Sequence, residues 1–124
     1  MPNMFSIADA PLDQERIDLL AEGDELRIER IVSQGHASPP DFWYEQDLDE
    51  WVLLLQGEAI LRFEHDKVRI LRTGDWLFLP AGLRHRVDRT SAGPPCIWLA
   101  VHGRFTEHQG PILPDDAHDE ERFS

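Results

Sequence analysis

GDWLFLPAGLRHRV, residues 74–87, decides the fold. Gly74 with Asp75 can turn the chain into the apolar run Trp76-Leu77-Phe78-Leu79, because glycine takes backbone angles that a tight turn needs. Pro80 ends that strand at a point where no ladder N–H is required. Gly82 then lets the chain double back, so that His85 begins the next strand.

The same texture extends outward on both sides. Segments rich in branched and aromatic residues recur every eight to twelve positions: residues 26–33, 42–46, 50–55, 59–63, 67–71, 75–80, 84–88 and 97–102. Gln56-Gly57, His65-Asp66, Thr73-Gly74, Ala81-Gly82 and Ser91-Ala92-Gly93-Pro94-Pro95 supply turn chemistry between them. Regularly spaced short strands of this kind predict an all-β sandwich or barrel. Trp51-Val52-Leu53-Leu54-Leu55 is apolar at every position, which predicts a strand covered on both faces, by the barrel interior on one and by another sheet or a subunit on the other.

The chain has 124 residues with 12 Lys and Arg against 24 Asp and Glu, a formal net charge of −12. Nucleic acids and anionic membranes are held by clustered Lys and Arg, so neither is an expected partner. Residues 1–25 carry seven acids and one base, residues 107–124 six acids and one base, and residues 26–106 hold 10 bases and 11 acids. This predicts an acidic N-terminal segment over 1–25, within which residues 11–23 read as a short helix or irregular cover. A β-barrel follows over 26–106, and an acidic, disordered tail over 107–124. Cys96, the single cysteine, has no partner for an intrachain disulfide, and Met1 is not followed by the pattern of a signal peptide. A cytoplasmic protein is the expectation.

Gly74, Pro80, Gly82 and His85 stand as Gly-x5-Pro-x-Gly-x2-His, and upstream Glu50 and Gly57 stand as Glu-x6-Gly. In that order they resemble the second motif and the latter half of the first motif of the cupin superfamily. Arg89 takes the place of the second motif's final Asn. The likeness spans roughly residues 26–104 and implies a small single-domain cupin, a jelly-roll β-barrel whose interior can hold a ligand. It further implies that His85 points into the barrel and ligates a metal together with Glu50. The family's two remaining ligands, an H-x-H pair just before that glutamate, are replaced. One register places the pair at Tyr44 and Gln46, the other at Trp43 and Glu45.

Other residues could complete the site. Across a turn at Asp47-Leu48-Asp49, Gln46 can face Glu50. Strand alternation puts Trp98, Ala100 and His102 on one face and Ile97, Leu99 and Val101 on the other. With the first face inward, Glu50, His85 and His102 would offer two imidazoles and a carboxylate, suited to a divalent transition metal such as zinc, iron, manganese or nickel. His36, in the loop Gly35–Pro40, is a further candidate at the barrel mouth. Phe42, Trp43 and Tyr44 could stack on a flat or sugar-like ligand or form core or a subunit seam. Tyr44, His36, Trp43 and Glu45 are thus the candidate ligand-binding groups. Arg84 and Arg86 should point away from His85. His65, His108 and His118 read as solvated, and Cys96 has no visible base to make it a nucleophile.

No phosphate-binding glycine loop, C-x-x-C pair, H-E-x-x-H or G-x-S-x-G string occurs. The expected protein binds a divalent metal and a small organic molecule inside its barrel; an enzyme of this kind would be an oxygenase, isomerase or lyase. A metal-free binding or sensor domain is the alternative, as is a structural module that forms a homodimer through Trp51, Leu53 and Leu55.

Overall fold

The computed structural model describes residues 2–7 and 12–109. Eight strands run in chain order: β1 (Arg16–Gly23), β2 (Leu26–Ser33), β3 (Asp49–Gln56), β4 (Glu58–Phe63), β5 (Val68–Arg72), β6 (Trp76–Leu79), β7 (His85–Thr90) and β8 (Cys96–Gly103). They form a five-stranded sheet in the order β1-β2-β8-β3-β6 and a three-stranded sheet in the order β5-β4-β7, with every pairing antiparallel. The sheets close over a core of Val52, Leu54, Ala59, Leu61, Phe63, Leu71, Leu77, Leu79, Trp98 and Ala100. This is the jelly roll expected from the sequence.

Strand β3 shows how alternation selects the inner face. Glu50, Val52 and Leu54 are buried, whereas Trp51, Leu53 and Leu55 are half-buried on the outside. There the Trp51 ring lies 6.0 Å from that of Trp76. The outer face is therefore only half covered within the described residues, less than an apolar strand implied.

Two segments differ from expectation. Residues 16–23, read as helix or irregular cover, form the edge strand β1, paired to β2 from Arg16↔Val32 to Gly23↔Leu26. A bulge between Leu19 and Ala21 breaks the period-two pattern there, which is why Ile17, Leu19 and Leu20 do not alternate. Residues 42–46, read as a strand, make only a single bridge: Tyr44 and His85 exchange N–H···O bonds of 2.7 and 3.1 Å. Pro39 and Pro40 carry no N–H for a ladder, and Asp41 sits at φ 61°, so pairing is interrupted upstream until Ser38, whose N–H donates to the Val87 carbonyl at 2.8 Å.

Residues 4–6 and 105–108 lie on the outer face of the large sheet. Arg30, buried on β2, binds Asp18 through Nε and Nη2 at 3.0 and 2.6 Å. Its Nη1 donates to the carbonyls of Met4 and Ser6. The guanidinium also holds the Asp18 carboxyl below the usual carboxylate range. Arg30→Ala should release residues 4–6 and leave Asp18 and two carbonyls short of their donor. We expect a loss of about 2 kcal/mol, read as a lower urea midpoint at unchanged m-value. At the other end Phe105 packs edge-on against Phe78, and His108, read as solvated, stacks on Phe78 at 4.1 Å between ring centres. Residues 110–124, with His118 and most of the expected acidic tail, lie outside the described residues.

The narrower sheet does not reach across the wider one. The inner faces of β1 and β2 overhang, so Ile17 is 57% exposed although it faces the interior. The barrel is open along this side.

Candidate functional site

Register stacks the inward side chains in rows. Glu50 on β3 is opposite His102 on β8, which is opposite Arg27 on β2. The next row is Val52, Ala100 and Glu29, and the one after it Leu54, Trp98 and Ile31. From the smaller sheet His85 and Val87 face them on β7. The result is a cavity of about 200 Å³ with the row of Glu50, His102 and Arg27 at one end, Glu29 joining it from the next row, and the row of Leu54, Trp98 and Ile31 below. Glu15, Ile17, Tyr44, Gln46, Leu61 and Leu79 complete its lining.

Glu50 is the chemical centre. It is 8% exposed and accepts no hydrogen bond among the described residues. Its Oε1 lies 3.9 Å from His85 Nε2 and its Oε2 3.9 Å from His102 Nε2, both too long to count as hydrogen bonds. Burial pushes its carboxyl up to about 7, the neighbouring Glu29 carboxylate adds to the rise, and Arg27 opposes it.

The two histidines are held differently. His85 Nδ1 is 3.1 Å from the Leu83 carbonyl, which can only accept, so Nδ1 carries the proton and Nε2 turns its lone pair toward Glu50. A ring fixed in this way is arranged as metal-binding histidines are. Tyr44 stacks on it, 5.5 Å between centres. Burial lowers the His85 pKa, against the Leu83 hydrogen bond. His102 Nε2 is 3.2 Å from Glu29 Oε1, and Glu29 also accepts from Arg27 Nε at 2.8 Å. Burial and Arg27 lower the His102 pKa while Glu29 works the other way. The Nε2 proton of His102 is therefore directed at Glu29, and an ion at that atom would have to replace it.

Of the residues singled out from the sequence, Glu50, His85, His102, Gln46 and Tyr44 come together. Tyr44 and Gln46 line the cavity, so the first of the two registers for the replaced pair is the one realised. Trp43 and Glu45 have the opposite parity and lie outside it. The Trp43 ring instead sits under the guanidinium groups of Arg84 and Arg86, at 5.2 and 6.0 Å. His36 is likewise absent from the cavity: its Nδ1 accepts from the Gln34 N–H, and Nε2 faces the Leu12 carbonyl at 3.2 Å. The ring serves the loop, not a ligand. Sequence reading missed Arg27, Glu29 and Glu15. The first two had a signal, since in LRIERIVS charges at alternate positions 27 and 29 share a face with Ile31.

The donor set suits a divalent transition ion in kind: two imidazoles, one orphaned buried carboxylate and an amide. Its spacing is wider than a closed shell. Ligand bonds of about 2.0–2.2 Å put neighbouring donors roughly 2.8–3.6 Å apart, from octahedral to tetrahedral geometry, against the 3.9 Å of both pairs here. Among the described residues no group of three His, Cys, Asp or Glu side chains is gathered tightly enough to hold an ion as it stands.

An antiparallel two-sheet barrel of this topology, with polar groups converging on its interior, is a jelly roll. More narrowly, the chain belongs to the cupin family: the model of the cupin domain matches residues 29–102. The chain is 44% identical to a “putative mannose-6-phosphate isomerase” from Ralstonia eutropha JMP134. The two structures superpose with a TM-score of 0.79 over 85% of this chain and 98% of that one. A cupin superfamily protein from Desulfitobacterium hafniense DCB-2 shares the fold at 24% identity, with a TM-score of 0.65 over 79% and 84% of the two chains. Uncharacterized protein YdbB of Bacillus subtilis (strain 168) is 26% identical over 86 residues, 69% of this chain and 74% of its own. Among the described residues no helix is long and apolar enough to cross a membrane.

Proposed function

We propose that the barrel binds a small organic molecule next to a divalent transition metal held by Glu50, His85 and His102, with Gln46 beside them. One observation carries this reading: a buried carboxylate without a hydrogen bond, each oxygen turned to a different imidazole Nε2. An isolated buried carboxylate is costly, so it calls for a cation or a proton. A bound ion would polarise a ligand oxygen. The chain's own groups would set the geometry: Leu83 and Tyr44 fix the His85 ring, Glu29 fixes His102, and Trp98 and Ile31 give the ligand an apolar wall. The name of the 44%-identical relative makes a sugar-type isomerisation the first reaction to assay.

The test is metal analysis and titration calorimetry on protein purified without an affinity tag. We expect about one ion per chain, and a loss of affinity of about 100-fold or more in Glu50→Ala and in His85→Ala. Protein that stays empty after soaking in zinc, manganese, iron(II) and nickel would end the metal reading. A metal-free ligand-binding domain is the second reading, favoured by the 3.9 Å spacing.

A further inference from the structure

The cavity carries an unusual balance of charge for a site that would take an anionic ligand. Three carboxylates line it, those of Glu15, Glu29 and Glu50, against one guanidinium, that of Arg27. Arg27 is already committed, its Nε bonded to Glu29 at 2.8 Å. Among the described lining residues no other Lys or Arg is present to clamp an anion. Glu50 is unpartnered, 8% exposed and faces the cavity.

We infer that this cavity is built for an uncharged, hydroxyl-bearing small molecule and rejects phosphate esters. The inference rests on the reading of the cavity as a ligand site. A phosphate monoester carries nearly two negative charges at neutral pH and is held by Arg or Lys forks. Here it would enter facing carboxylates. Even a divalent ion at Glu50 brings the lining only to neutrality and leaves the ester's own charge unmatched. Hydroxyl groups fit what is present. Carboxylates and the Gln46 amide oxygen accept from them, as Glu15 already does from the Ser33 hydroxyl at 2.8 Å. Tyr44 and Trp98 line the cavity and give the C–H side of a polyol an apolar surface to pack against. At about 200 Å³ the space is below the roughly 300–1,000 Å³ of drug-sized sites, which suits a compact molecule.

The experiment is calorimetry of the untagged full chain, with and without added manganese, against glucose, ribose and glycerol, and against glucose 6-phosphate and ribose 5-phosphate. At least one neutral polyol should bind, about tenfold or more tighter than its phosphate ester where one is tested. Glu29→Gln should free the Arg27 fork and raise affinity for the esters by about tenfold, narrowing that ratio. Esters binding wild type as tightly as the parent polyols would overturn the inference, as would the absence of binding by all three polyols. Failure of the metal reading is registered separately, as missing manganese uptake with the polyol-to-ester ratio intact.

Discussion

Glu50→Gln should make the metal-free protein more stable by about 3 kcal/mol above neutral pH, and by almost nothing near pH 4. The carboxyl is raised from its ordinary 4.5 to about 7, chiefly by burial. Each unit of displacement is worth about 1.4 kcal/mol. A raised acid binds its proton more tightly in the folded state. Below 4.5 it is protonated folded and unfolded, and no penalty is present. Between 4.5 and 7 the unfolded chain ionises first and stability falls. Above about 7 the folded chain must bury the charge, and the whole penalty is in force. Glutamine keeps the shape and removes the charge. His85 and His102 act in the opposite sense: their lowered pKa values cost stability as pH falls through the ordinary imidazole range near 6.5. The measurement must therefore be a difference, urea unfolding of variant and wild type at matched pH from 4 to 9 with chelator present. A difference that does not grow between pH 5 and 8 would sink the account of Glu50 as a buried group lacking a partner. With a divalent ion present the order should reverse, since binding to the native state stabilises wild type alone.

The fold was largely readable because its punctuation is chemical. Gly57, Gly74 and Gly82 all adopt positive φ, at 102°, 94° and 82°, which sequence can announce only through glycine. The strands β2 to β8 fall where branched and aromatic residues cluster between such turns. What was not readable was pairing. Residues 16–23 are the first arm of a hairpin with β2, closed at Gly23↔Leu26 around Asp24-Glu25, so their partner is the next segment of the chain. The bulge beside Leu19 blurred the alternation that would have marked them as a strand. Residues 42–46 failed in the opposite way: they have strand composition, but the prolines before them admit no ladder.

The site divided along the same line. Glu50 and His85 matched positions of the two cupin motifs, and it was that resemblance which implied that both point into the barrel. His102 needed the parity of β8, which its register with β3 decides by placing it opposite Glu50. Arg27 and Glu29 became part of the site only because β2 lies on the far side of β8. Three strands distant in sequence build one polar row. His36, in contrast, attracted notice as a histidine near a barrel mouth, and its loop consumes both ring nitrogens. Residue type proposes a ligand; the partners of each ring atom decide whether it is available.

Gly57→Ala should cost about 2–6 kcal/mol, a large share of a typical domain's stability, whereas Gly82→Ala and Gly74→Ala should cost only about 1 kcal/mol each. All three have positive φ, so each loses something when a side chain is added. They differ in what a Cβ would meet. At Gly74 and Gly82 there is nothing within 4 Å. At Gly57 the new methyl would lie 2.8 Å from Cys96 Sγ, 2.8 Å from Ser91 Oγ and 3.0 Å from Cys96 Cα. Cys96 is fully buried and cannot retreat, and Ser91 Oγ is itself tied to the Pro94 carbonyl and the Glu58 N–H. Backbone strain of about 1–3 kcal/mol therefore adds to an overpacking cost of about 1–3 kcal/mol. The Glu-x6-Gly spacing follows from this crowding. Gly57 lets β3 turn into β4 directly against the start of β8, and β8 is the strand that sets His102 opposite Glu50. Thermal unfolding of the three variants side by side checks it. Equal losses at Gly57 and Gly82 would mean that the contact with Cys96 is not what this position requires.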